Sequence, residues 1–156
     1  MINSKFTIVT FYQFKKINNP KSLKEEITQF CAFNKIRGTA IIANEGINGT
    51  FAGLKKSINI LILFLNKKDF KKLEVKYASY KFMPFNRLKI KHKKEIVTFR
   101  SNKSNPENIT GKFIKVKDWN KIVNNKSTLL IDVRNNFEFK LGTFSKAKNP
   151  NTNNFT

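Results

Sequence analysis

Hydrophobic positions with strand-like and helix-like spacing predict a folded domain in the first hundred residues. β-Forming side chains fill Phe6–Phe14, which predicts a strand, and Pro20 opens an amphipathic helix over 21–34. Apolar residues at helical spacing predict a second helix over 54–66. Alternation over 72–80 predicts a further strand.

The stretch 37–53 lies between the two helices and predicts a tight hairpin. Its first half, 39–43, is small and β-branched. The turn-forming pairs Glu45-Gly46 and Asn48-Gly49 precede a second short strand at 50–52. The predicted tip presents three polar side chains, those of Asn44, Glu45 and Asn48. Two interpretations stay open: a plain hairpin with polar turn residues, or a tip that contacts a partner.

The order of elements is β-α-β-β-α-β, which is the split βαβ or ferredoxin-like pattern of the α+β class. This pattern predicts four antiparallel strands with two helices on one face. Acylphosphatase shares the fold, but a fold assigns no chemistry. The sequence shows no phosphate-cradling glycine loop with a neighbouring catalytic Arg and Asn.

Composition divides the chain into a domain at 1–100, a linker at 101–111 and a second segment at 112–156. The linker is predicted from its turn-forming composition. The second segment contains short helical stretches and an apolar run, 128–133, that predicts a buried parallel strand. Such a strand needs neighbours, and about forty residues rarely support a core. We therefore expect this segment to be loosely held or to depend on packing against the first domain, with exposed apolar residues.

The formal net charge of +21 favours a polyanionic partner. Only four of the 31 basic residues are arginine, and the lysines accompany many Asn, Ile and Phe residues. Such residues have A/T-rich codons, so nucleotide bias explains part of the charge. A field of this sign still attracts phosphate backbones.

The most basic stretch, 81–99, interleaves cations with aromatic rings. Its candidate RNA-binding residues are Lys81, Arg87, Lys89, Lys91 and Lys93. Leu88 and Ile90 alternate with two of these lysines, which predicts a strand with a cationic outer face. Lysines and rings together suit single-stranded or looped RNA. The alternative is an edge strand whose lysines only deter aggregation.

The sequence has one cysteine, Cys31, on the apolar face of the first predicted helix, so we expect a buried thiol. No internal disulfide can form, and a reducing cytoplasm is the expected location. No apolar run is long enough for a signal peptide or a membrane span. Metal-ligand spacing is lacking around His92, so we predict no metal site, and the sequence identifies no cofactor.

Three stretches together resemble the rhodanese-related tRNA uridine(34) hydroxylases, a family of UPF0176 type. Residues 43–50, Ala-Asn-Glu-Gly-Ile-Asn-Gly-Thr, look like the amino-terminal hallmark of that family. Residues 131–152 resemble the start of its rhodanese domain, with Gly142-Thr143-Phe144 in place of the Gly-His-Ile of ordinary rhodaneses. Residues 85–98 resemble its joining segment.

The resemblance implies oxygen-dependent 5-hydroxylation of the wobble uridine of tRNA, with molecular oxygen as co-substrate. The implied partner is the anticodon region of tRNA, with no DNA and no membrane. In the family, a rhodanese-domain cysteine downstream of the Asn-Pro-Asn-Thr segment is the reactive residue, and this chain ends at Thr156 before it. Cys31 matches no catalytic position. We therefore expect a truncated chain that carries no catalytic residue and is inactive alone.

Two other functions remain as alternatives: a non-catalytic basic tRNA-binding module, and a fragment of a rhodanese-type sulfurtransferase. By resemblance, Asp132, Arg134 and Glu138 belong to the rhodanese motif near its active site. They also suit a structural ion pair or a turn cap. With the family in view, Asn44, Glu45 and Asn48 are candidates for RNA contact or for a domain interface.

Overall fold

A computed structural model describes residues 6–97 and 111–151. The chain divides into two compact units at Val97. Here unit 1 means residues 6–97 and unit 2 means residues 111–151. The predicted linker, 101–111, lies outside the described residues except for Gly111.

Unit 1 has the predicted order of elements, followed by a further strand. In chain order it contains β1 (Phe6–Phe14), α1 (Pro20–Phe33), β2 (Arg37–Ala43), β3 (Gly46–Gly53), α2 (Lys55–Lys67), β4 (Glu74–Tyr80) and β5 (Leu88–His92). Pro20 opens α1, as predicted. The Asn19 side chain caps the helix by accepting a hydrogen bond of 3.0 Å from the backbone N–H of Ser22.

The strands form one sheet in the order β4-β1-β3-β2-β5. The first four strands pair antiparallel, and β5 joins the outer edge of β2 in parallel. The predicted α+β, ferredoxin-like fold is confirmed. The difference is the fifth strand, because the pattern alone predicted four strands in the sheet.

Both helices cover one face of the sheet. The core between them is built from alternate strand residues and helix residues, including Val9, Phe11, Ile27, Ile42, Phe51, Ile58, Leu61 and Leu65. The rings of Phe30 and Phe64 stack at 4.2 Å and join α1 to α2. Because side chains alternate along a strand, the residues between the core positions lie on the opposite face of the sheet, which we call the open face.

The predicted second turn at Asn48-Gly49 is wrong. Both residues lie inside β3, which is longer than predicted, and the hairpin turns at Asn44-Glu45. Gly49 serves close packing within the sheet, because a Cβ there would lie 2.9 Å from the Cβ of Ala40. Glycine therefore marks a close approach between strands at this position.

Unit 2 contains two short helices, α3 (Val116–Val123) and α4 (Asn136–Leu141). The prediction of a buried strand at 128–133 is wrong. Only an isolated parallel bridge joins Ile131 to Lys148, and Ile131 is exposed. A single bridge supplies too few partners to bury the run.

Apolar side chains are widely exposed in unit 2, as expected for this segment. The relative exposure of Val116 is 94% and that of Leu141 is 73%. None of the core residues lies among the described residues of unit 2. Within residues 6–97 and 111–151, no helix has the length and apolarity needed to cross a membrane.

Candidate nucleic-acid interface

Strand β5 places lysines on the open face because its side chains alternate. Leu88 and Ile90 pack against the core beneath the helices. Lys89 and Lys91 therefore lie on the opposite side, in register with Thr39 and Ile41 of β2. The predicted strand with a cationic outer face is confirmed.

The connection from β4 to β5 forms one wall of a groove beside these lysines. The two strands lie at opposite edges of the sheet, so this connection runs from one edge to the other. The groove has a volume of about 420 Å³. It is lined by Thr39, Ile41, Pro84, Phe85, Asn86, Arg87, Lys89, Lys91 and Lys93.

Four of the five predicted RNA-binding cations therefore meet in one groove, which we call the cationic groove. Repulsion from neighbouring positive charges lowers the pKa of Lys89, with Lys91 as the largest cause and Arg87 as the next. All four side chains are exposed. A phosphate oxygen placed among them would relieve this repulsion.

Two other residues of the basic stretch lie away from the groove. The Nζ atom of Lys81 lies 5.4 Å from the ring centre of Phe82, and Lys81 does not line the groove. His92 is exposed and pairs in register with Ile42, so it belongs to the opposite side of β5 from the lysines. Among the described residues, no cluster of His, Cys, Asp and Glu could hold a metal ion.

The Asn44-Glu45 turn accepts hydrogen bonds from two neighbouring segments of the polypeptide. Its two carbonyl oxygens accept hydrogen bonds from the backbone N–H groups of Ile17 and Lys15, at 2.7 and 2.8 Å. The Glu45 carboxylate accepts a bond of 2.7 Å from the backbone N–H of Ile96.

Asn48 lies apart from this turn. It pairs in register with Tyr12 on β1 and Ile41 on β2, which places it on the open face. Of the three motif residues, Asn48 therefore shares a sheet face with the lysines of the groove.

The thiol of Cys31 is fully buried in the core. Burial raises its pKa from 9.0 to about 12, so the thiol is protonated at neutral pH. A nucleophilic cysteine needs the opposite environment, with exposure and nearby positive charge. Cys31 is thus a small apolar core residue, as predicted.

The rhodanese-motif residues form a local network in unit 2. The Arg134 guanidinium donates to the Asp132 carboxylate at 2.6 Å and to the carbonyl of Gly142 at 2.6 Å. The Thr143 hydroxyl donates to Asp132 at 2.8 Å, and these bonds hold the pKa of Asp132 well below its usual range. Asp132 and Arg134 also line a cavity of about 550 Å³.

Glu138 acts at the start of α4. Its backbone N–H donates to the Asn135 side chain, and its carboxylate accepts from the Asn135 backbone, which together make a capping box. Asp132 therefore takes part in an ion pair and Glu138 in a helix cap.

Comparison with known proteins identifies the family of unit 1. The family model described as the UPF0176 acylphosphatase like domain matches residues 6–96, more than half of the chain. The chain belongs to the UPF0176 family. The match covers the sheet, both helices and the cationic groove.

Two solved structures are similar to part of the chain. One is an acylphosphatase from Coxiella burnetii, with 12% identity and a TM-score of 0.44, covering 58% of this chain and 100% of that chain. The other is full-length HypF in its phosphate- and nucleotide-bound form, with 11% identity and a TM-score of 0.45. That match covers 59% of this chain and 13% of the HypF chain.

Sequence reasoning missed the β2 side of the groove. The sequence predicts Thr39 and Ile41 only as strand residues, because nothing local to β5 shows which strand it joins. The alternation within β2 could have shown which of its residues lie on the open face, because the small residues Gly38 and Ala40 face the helices. Once β5 is placed beside β2, that alternation puts Thr39 and Ile41 on the side of the lysines.

Proposed function

We propose that unit 1 holds the anticodon region of tRNA, as the RNA-binding part of a tRNA uridine hydroxylase of the UPF0176 family. The observation that carries this proposal is the convergence of Arg87, Lys89, Lys91 and Lys93 in one open groove beside Phe85. Cations that meet phosphates next to an aromatic ring suit unpaired RNA. The proposed setting is the cytoplasm.

The reaction proposed for the family member is oxygen-dependent 5-hydroxylation of the wobble uridine, which the sequence resemblance implies. Cys31, the only cysteine of the sequence, is buried and protonated, and this argues against its use as the reactive thiol. The same point counts against a sulfurtransferase reaction on this chain. We therefore expect the chain alone to bind tRNA and to form no 5-hydroxyuridine.

The binding proposal is tested by fluorescence anisotropy on an anticodon stem-loop RNA at several salt concentrations. The test variant replaces Lys89, Lys91 and Lys93 with Ala. Each lost phosphate contact on a single strand reduces the slope of log K against log salt by about 0.7, so the triple variant should reduce it by about 2.

A matched control removes the same charge from the helical side of the domain. Lys21, Lys55 and Lys56 are exposed on α1 and α2 and do not line the groove. Their replacement with Ala should leave the slope nearly unchanged. Equal losses in the two triple variants would show that only net charge matters, and would overturn the assignment of the groove.

A further inference from the structure

The open face carries a row of residues that crosses all five strands. Strand register aligns Lys76 on β4 with Thr10 on β1, Thr50 on β3, Thr39 on β2 and Lys89 on β5. We call this the threonine row. It has a lysine at each edge of the sheet, and only one of those lysines belongs to the cationic groove.

The three threonines make a shallow polar path between the lysines. Thr10 and Thr39 are exposed, and the hydroxyls of Thr10 and Thr50 lie 3.0 Å apart in a hydrogen bond. Each hydroxyl has one donor and two acceptor positions, so a bond between two of them leaves further capacity. Phosphate oxygens and ribose hydroxyls can use that capacity.

The neighbouring row supplies an aromatic ring and an amide. Tyr12, Asn48 and Ile41 align in register beside the three threonines. The Tyr12 ring is half-buried and meets Phe14 edge-on, with centroids 6.4 Å apart, so a neighbour holds it in place. A fixed ring next to a polar path offers a base a surface for stacking.

We propose that a single-stranded RNA segment crosses the open face at right angles to the strands, with its phosphates along the threonine row and a base stacked on Tyr12. This inference rests on the proposed function and extends the RNA path from the cationic groove to Lys76. Four strand spacings give a path of about 19 Å.

Both rows end in a lysine at the β5 edge, Lys89 and Lys91, so they differ in charge only at the β4 edge. Glu74 pairs in register with Tyr12, so the Tyr12 row ends in a carboxylate at the β4 edge, whereas the threonine row ends in Lys76. A phosphate chain is repelled at Glu74 and attracted at Lys76. The uncharged base therefore lies toward Tyr12, where the Asn48 amide can donate to or accept from its edge.

Stacking on Tyr12 requires an unpaired base, and this separates the proposal from duplex binding. In a duplex the bases are stacked on one another and paired, so a ring on a flat sheet cannot reach their faces. We therefore expect unlabelled single-stranded RNA to compete with a bound single-stranded RNA probe. Duplex RNA of the same sequence should compete poorly.

The experiment uses the full chain and a single-stranded RNA of about eight nucleotides that contains 2-aminopurine. Tyr12→Val removes the ring and keeps a β-forming residue, whereas Tyr12→Phe keeps the ring. Loss of one base stack should raise Kd about 5- to 150-fold for Tyr12→Val and leave the 2-aminopurine unquenched. Tyr12→Phe should bind and quench like the unchanged chain.

The far end of the path is tested with two lysines that are close in sequence. Lys76→Ala should weaken binding and reduce the salt slope by about 0.7. Lys72→Ala removes the same charge just before β4, outside the threonine row, and should do neither.

Two results would overturn the inference while leaving the proposed function intact. One is a loss of binding in the Lys89, Lys91 and Lys93 variant with unchanged binding in Tyr12→Val and Lys76→Ala. The other is duplex RNA competing as well as single-stranded RNA. If the variant that replaces Lys89, Lys91 and Lys93 with Ala bound RNA as tightly as the unchanged chain, both proposals would fail.

A crosslink on the unchanged chain gives an answer that does not depend on the folding of a variant. RNA containing 4-thiouridine should crosslink to the peptide that contains Tyr12. Crosslinks confined to residues 84–93 would overturn the path across the open face.

Discussion

The backbone N–H of Ile96 donates a 2.7 Å hydrogen bond to a carboxylate oxygen of Glu45. Ile96 is buried, with 2% of its surface exposed, and it follows β5 by four residues. The contact ties the chain after β5 to the turn between β2 and β3. Glu45 therefore holds the strand that presents the lysines of the cationic groove.

Replacement of Glu45 with Ala should destabilise unit 1. It removes the acceptor of the partly buried hydrogen bond from Ile96, which costs about 1–3 kcal/mol. Glu45→Gln keeps a carbonyl acceptor and should cost less. The measurement is the urea midpoint by far-UV circular dichroism. Glu25→Ala, an exposed glutamate on α1, is the charge-matched control, and an equal loss in both alanine variants would contradict the role given to Glu45.

Much of unit 1 could be predicted from its sequence because the relevant signals are local. The strand at Phe6–Phe14, the helix opened by Pro20 and the buried thiol of Cys31 all follow from residue type and spacing. Lys89 and Lys91 of the groove were also found locally, because alternation with Leu88 and Ile90 sets their side of β5.

The parts that failed depend on partners distant in sequence. Asn48-Gly49 has the residues of a turn, but pairing with both β1 and β2 holds it inside β3. Local turn preference was outweighed by two strands of hydrogen bonds. Ile131 shows the converse, since a strand-like sequence with a single bridged partner stays exposed.

Substitution of Gly38 with Ala should be strongly destabilising. Gly38 has φ of +147°, and an added Cβ would lie 2.2 Å from the carbonyl oxygen of Thr50. Backbone strain and overpacking together should cost about 2–4 kcal/mol. Gly111→Ala is the control, because an added Cβ there meets nothing within 4 Å. Chemical denaturation of both variants checks the difference, and a small loss in Gly38→Ala would show that β2 can shift away from β3.

Cys31 should react with a thiol reagent only when the domain unfolds. Its side chain is fully buried, and burial raises its pKa to about 12, so neither access nor thiolate is present at pH 8 in the folded state. Ellman's reagent should label the native chain slowly and the chain in urea at once. Fast labelling without urea would contradict the packing of α1 against the sheet.

The raised pKa of Cys31 predicts how the stability of the domain changes with pH. Between pH 9 and about pH 12 the unfolded thiol loses its proton while the folded thiol keeps it. The unfolded state then binds fewer protons, so the contribution of Cys31 to stability falls as pH rises. The difference in unfolding free energy between the unchanged chain and Cys31→Ala isolates this effect from the lysines and tyrosines. A difference independent of pH above 9 would contradict it.

Unit 2 should lose its structure at lower urea than unit 1. Its described residues bury no apolar side chain fully, and exposed side chains such as Val116 and Leu141 contribute little to stability. Trp119, the only tryptophan of the sequence, lies in α3 and meets the ring of Phe144 at 5.2 Å. Its emission therefore reports on unit 2, whereas far-UV circular dichroism is dominated by the sheet and helices of unit 1.

We expect the Trp119 emission to change before the circular dichroism signal, and trypsin to cleave within 112–148 before it cuts unit 1. Arg134→Gln, which removes the ion pair with Asp132, should move the emission transition to still lower urea and leave the dichroism midpoint in place. Lys126→Gln removes one exposed positive charge from the same unit and serves as the control. Coincident transitions in the unchanged chain, together with trypsin resistance of 112–148, would mean that the two units unfold as one and that the apolar side chains of unit 2 are covered in solution.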